Sequence, residues 1–148
     1  MKRYVKATVK PVISEAESLR ADLARDETTR PEVLRQLAED SETYIRYCVA
    51  ANPNSPLDLL YKLNEDDSWG VKVGIAENPN TPVDLLSDLA SHSSWHVREA
   101  VAGNENTPRD QLRHLCNDIN ADVQRVADYA WLSLTGHFFG DASEDYDG

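Results

Sequence analysis

The sequence predicts an all-α solenoid, and three observations predict it. The segment ANPNSPLDLL is followed twenty-six residues later by ENPNTPVDLL, and the same interval governs the chain from Thr29 onward without a gap. Apolar residues recur within each unit at helical spacing. Each unit is too short to bury that apolar face alone, because an isolated helix under roughly 12–15 residues is marginal in water. Units of this kind must stack on their neighbours.

The columns can be taken in order. Thr29, Ser55, Thr81 and Thr107 recur at intervals of 26, each followed three residues later by an acid, Glu32, Asp58, Asp84 or Asp110. A hydroxyl, a proline and an acid in that order predict an N-capped first helix with a capping box. Leu34, Leu60, Leu86 and Leu112, then Leu37, Leu63, Leu89 and Leu115, supply its apolar face. Ser68 and Ser94 predict the cap of a second short helix, which carries Ile45, Val71, Val97 and Val123 and, four residues on, Val49, Ile75, Val101 and Ala127. Asn52, Asn78 and Asn104 close each unit and open the next turn.

These boundaries divide the chain. Residues 1–13 form a basic arm, with Lys2, Arg3, Lys6 and Lys10, and residues 14–28 a capping helix that keeps half a repeat. Four repeats follow at 29–54, 55–80, 81–106 and 107–132, and residues 133–148 hold the end of the cap and an acidic tail. In the last repeat the NPN turn gives way to Asp128-Tyr129-Ala130-Trp131. The stripe Val123, Val126, Ala127, Ala130, Trp131 and Leu134, stopped by Gly136, predicts one longer closing helix.

The run NPNTPVDLLSDLASHSSWHVREAVAGN resembles the leucine-rich repeat variant family, and the likeness extends over residues 29–132. It implies a right-handed superhelix in which an α-helix alternates with a shorter, 3₁₀-type helix, and no β-sheet. Some relatives carry a cysteine cluster for an iron–sulfur centre. Here only Cys48 and Cys116 exist, in different columns, so neither that cofactor nor a disulfide is expected.

The formal net charge of −11 repels nucleic acid over most of the surface. No apolar run approaches the roughly 20 residues needed to span a bilayer, and no apolar segment follows the basic start. A cytoplasmic protein with a protein partner is expected. His92-x-x-x-His96 has a spacing that can grip a metal, but it crosses a loop and lacks a third ligand. No nucleophile–base, phosphate-loop or paired-carboxylate motif is present, so no catalytic residue and no enzyme activity are expected.

Repeated surface columns are therefore the candidate binding residues: the cations Arg46, Lys72 and Arg98, the aromatics Trp69 and Trp95, and the acids Glu65, Asp66 and Asp67. Each has a structural alternative. The cations can be paired by neighbouring acids, the tryptophans can pack between repeats, and the acids can complement the dipole of the second helix. The expected function is a non-enzymatic scaffold that binds a protein through its solenoid face. The alternative is an acidic decoy that occupies a partner's basic, nucleic-acid-binding cleft.

Overall fold

The computed structural model describes residues 14–141; the basic arm and the end of the acidic tail lie outside the described residues. Nine helices and no strand occur among them. The first is α1 (Glu15–Arg25). Four pairs follow: α2 (Pro31–Leu37) with α3 (Thr43–Ala51), α4 (Leu57–Leu63) with α5 (Trp69–Glu77), α6 (Val83–Leu89) with α7 (Trp95–Gly103), and α8 (Arg109–Leu115) with α9 (Ala121–Thr135).

The second helices stack in a continuous row, α3 on α5, α5 on α7 and α7 on α9, with α1 preceding α3. Each first helix lies against the second helices on either side of it, as α4 does against α3 and α5. The result is a two-layered helical solenoid. Both members of each pair are α-helical, where the family resemblance implies a 3₁₀-type partner.

Every repeated apolar column is interior. Leu34, Leu60, Leu86 and Leu112 are at most 1% exposed, and Ile45, Val71, Val97 and Val123 are fully buried. A column the sequence reading did not single out, Ala24, Ala50, Ala76 and Ala102, is equally buried. At the C-terminal end, Val123, Ala127 and Trp131 of α9 seal the core, and Phe139 meets the Trp131 ring edge-on at 5.2 Å. Gly136 ends α9 in the left-handed conformation (φ 82°), as its position predicts. Leu134 departs from the expected stripe: it is exposed, and no helix among the described residues follows α9 to cover it.

The capping prediction needs correction. Pro56, Pro82 and Pro108, not the preceding hydroxyl residues, occupy the N-cap position, and no side chain caps α4, α6 or α8. The hydroxyls turn backwards. Thr29, Ser55, Thr81 and Thr107 donate to the carbonyls of Leu23, Val49, Ile75 and Val101, six residues earlier, at 2.5–2.7 Å. They finish the previous helix rather than start the next, supplying a donor to a carbonyl that a short helix leaves without one. The predicted caps of the second helices fare differently from each other: Ser68 accepts from Gly70 N–H, whereas Ser94 sits at the cap without such a bond.

The asparagine column does more than turn the chain. Asn78, fully buried, donates from Nδ2 to Ala50 O and Asn52 O, both at 2.8 Å, and accepts from Asn80 N–H. Asn52 bonds Ala24 O and Asp26 O in the same way, and Asn104 bonds Ala76 O and Asn78 O. One buried amide ladder thus runs through the stack, each rung reaching back into the preceding unit.

Gly74 sets the closest helix approach. A Cβ there would stand 2.7 Å from Tyr47 O and 3.0 Å from Ala50 Cβ, so α5 reaches the backbone of α3 only because Gly74 has no side chain.

Two predictions follow from these contacts. Asn78→Ala strands two buried carbonyls and should lower the unfolding free energy by on the order of 3 kcal/mol, whereas Asn80→Ala, at an exposed site, should cost under about 1 kcal/mol; urea denaturation of both variants checks the contrast. Gly74→Ala should destabilise by about 1–3 kcal/mol through overpacking against backbone. Gly103→Ala, whose added methyl meets only Val126 Cγ1 at 3.7 Å, should stabilise by up to about 1 kcal/mol.

Candidate functional site

The cationic column lies between repeats, and most of it is spent there. Arg46 Nε donates to Asp66 Oδ2 at 2.7 Å while its Nη1 bonds the carbonyls of Asp40 and Ser41. Arg98 repeats the arrangement with Asp118 at 2.7 Å and the carbonyls of His92 and Ser93. Arg20 pairs with Asp40 in the same register. Each acid stands twenty positions beyond its cation, in the next unit.

The acids have a second task. Asp40, Asp66 and Asp118 accept the N–H of Glu42, Ser68 and Asn120, the residues that open the second helices. Burial opposes the charge on Asp66, yet the Arg46 guanidinium and the Ser68 N–H outweigh it and hold the carboxyl below the ordinary range. Arg98, and with it the Asn120 N–H, holds the Asp118 carboxyl low in the same way against burial. Asp66 therefore belongs to an intrachain pair with only 14–19% side-chain exposure, while Glu65 and Asp67 on either side are exposed.

The ladder lapses once. Lys72 stands in the arginine column and its place twenty positions on is His92, so no ion pair forms; the Lys72 ammonium instead donates to Asn64 O. His92 keeps the acid's other role, accepting Ser94 N–H through Nδ1 at 3.0 Å. That bond requires an unprotonated Nδ1. Burial, and then the charges of Lys72 and Arg98, push the His92 pKa down.

The two tryptophans of one column behave differently. Trp69 is 51% exposed, while Trp95 is half-buried and packs against the core. His96 lies between them, its ring 3.6 Å from Trp95 and 4.8 Å from Trp69, nearly parallel to Trp69 at 12°. His92 and His96 are thus engaged separately, one with backbone and one with rings. Among the described residues no group of three or more His, Cys, Asp or Glu side chains is placed to hold a metal ion. Cys48 and Cys116 are both buried, and no disulfide links them.

Beside the ring stack is a cleft of about 290 Å³ between α5 and α7, lined by Trp69, Val73, Glu77, His96, Glu99 and Ala100. Tyr47 OH donates to Glu77 Oε2 at 2.5 Å, and this bond raises the Tyr47 phenol above its ordinary range. Tyr44 stacks near Tyr47, with ring centroids 6.0 Å apart. The sequence points to the tryptophans but not to Glu77, Glu99 and His96 as the groups that share the cleft with Trp69. The signal available was that outward positions of the second helix vary from repeat to repeat, with Tyr44, Gly70, His96 and Asp122 in one column and Tyr47, Val73, Glu99 and Arg125 in the next.

Stacked helical pairs with a variable outward face define a repeat protein that presents a surface. The leucine rich repeat variant family model matches residues 95–118, which run from the second helix of one pair through the first helix of the next and so cover about one repeat. This agrees with the resemblance read from the sequence. No curated protein and no solved structure matched the chain. Among the described residues no helix is long and apolar enough to cross a membrane.

Substituting the odd member of the ladder tests its electrostatics. Because the folded pKa of His92 lies below the unfolded value of about 6.5, the unfolded chain takes up the proton first. The His92 contribution is present above that pH and is lost as pH falls from there toward the folded pKa. His92→Asp restores the acid opposite Lys72 and should raise stability at neutral pH by about 0.5–1 kcal/mol. It should also remove this share of the acid sensitivity, so that the Tm gap between the variant and the natural protein widens from pH 7.5 to pH 5.5.

Proposed function

We propose that the protein is a non-enzymatic interaction module that binds a partner protein through the outward face of its second helices. One observation carries this reading. Tyr44, Trp69 and Tyr129, on α3, α5 and α9, are 51%, 51% and 64% exposed, although aromatic side chains of this size are otherwise buried where a core can take them. Aromatic anchors on a rigid frame are the usual centres of protein interfaces.

Of the residues singled out from the sequence, Trp69 lies on this face and Trp95 supports it through His96. Arg46, Arg98 and Asp66 contribute by fixing the helices that display it. Lys72 holds the loop before α5, in which Glu65 and Asp67 are exposed. The acidic-decoy reading gains less support, because Asp40, Asp66 and Asp118 already face arginines of the same chain.

The first helices offer a competing surface, with Leu57 and Val83 also about half exposed. Retention of a partner from host extract by the natural protein should be abolished by Trp69→Ala with Tyr129→Ala and preserved by Leu57→Ser with Val83→Ser. The reverse pattern overturns the assignment of the face. Retention that collapses with salt and with Glu65→Lys and Asp67→Lys, but not with the aromatic substitutions, favours the decoy instead.

A further inference from the structure

The cleft between α5 and α7 has a chemistry narrower than that of the face around it. From this geometry we infer that it is a receptor for an arginine side chain of a basic partner segment, an inference that rests on the interaction face proposed above. Val73 and Ala100 give the cleft an apolar floor, Trp69 and His96 a ring wall, and Glu77 and Glu99 two carboxylates. A volume of about 290 Å³ admits one long side chain rather than a helix.

Each component answers a part of arginine. The methylene stem lies on Val73 and Ala100, as long cationic side chains do on apolar surface. The planar guanidinium stacks on the exposed Trp69 indole, the ring type that attracts cations most strongly. Its fork of N–H groups meets the carboxylates, a match in geometry that the compact ammonium of lysine does not make.

Among the described residues no cation occupies that role. The cations of α5 and α7 are turned away, Lys72 to Asn64 O and Arg98 to Asp118. Glu99 has no hydrogen bond or ion pair among the described residues, although it is only half exposed. Glu77 is held in place by the Tyr47 hydroxyl, which leaves its charge intact. A net charge of −11 adds attraction at long range for a basic segment.

The test is a titration of the ¹⁵N-labelled protein with an end-blocked Gly-Ser-Arg-Arg-Ser-Gly peptide, beside the same peptide carrying citrulline for arginine. The arginine peptide should shift the Trp69 indole N–H signal in a saturable way, and citrulline, isosteric and uncharged, should not. Glu99→Gln should weaken binding about tenfold and Glu65→Gln, which removes an equal charge elsewhere, by less than about twofold. Both sites are at the surface, and circular dichroism confirms that each variant is folded. Absence of a shift at millimolar peptide, equal binding of the citrulline peptide, or equal losses from E65Q and E99Q overturns the assignment. A partner that is retained through Trp69 and Tyr129 yet indifferent to E77Q and E99Q overturns the arginine receptor while leaving the interaction face in place.

Discussion

A helix of nine residues ends on carbonyls that its own turns cannot satisfy, and in this molecule those ends are buried between repeats. The buried amide of Asn52, Asn78 and Asn104 resolves the conflict. Its two N–H groups take carbonyls 28 and 26 residues back, and its oxygen takes the N–H two residues on. At the end of α3 the Ser55 hydroxyl takes one more carbonyl, that of Val49, beside the Ala50 carbonyl held by Asn78. Hydrophobic burial is non-directional, so leucine columns alone tolerate sliding of one unit on the next. Hydrogen bonds at fixed offsets do not. The amide ladder therefore sets the register in which the aliphatic columns meet.

The ion pairs work from the opposite edge and in the opposite direction. Each asparagine reaches back to the preceding unit, while Arg20, Arg46 and Arg98 reach forward to the acid of the next. Between the second and third repeats the forward link is missing, because Lys72 meets His92. The Trp69–His96–Trp95 ring stack bridges that same junction. A junction relieved of its ion pair is joined by rings at the outward face, and these rings form the wall of the cleft.

How far the sequence discloses all this depends on what each residue contacts. The leucine and valine columns were legible because burial constrains side-chain type at every period, and all of them are interior. The asparagine column was visible as a repeat, but its partners are backbone carbonyls, which leave no mark on the sequence. Thr81 was misread because a hydroxyl ahead of proline is compatible with a cap in either direction. Packing of the preceding helix decides that it turns back to Ile75 O. Trp69 and Trp95 share a column and still differ in exposure, since the residue after Trp95 is His96, whose ring covers it, whereas the residue after Trp69 is Gly70.

The same contrast bears on where specificity resides. Positions that the stack requires are nearly uniform along the chain, as leucine at 34, 60, 86 and 112 shows, and uniform positions distinguish no ligand from another. The outward positions of the second helices carry tyrosine, glycine, histidine and aspartate in one column and tyrosine, valine, glutamate and arginine in the next. A frame that spends its asparagines, arginines and leucines on holding register leaves those columns free of the uniformity the stack imposes, even where, as at Tyr47, Val73 and His96, the side chain also packs locally. Two carboxylates, two rings and two small apolar residues converge at the cleft between α5 and α7, and the interaction proposed above would draw its specificity from non-uniform positions of this kind.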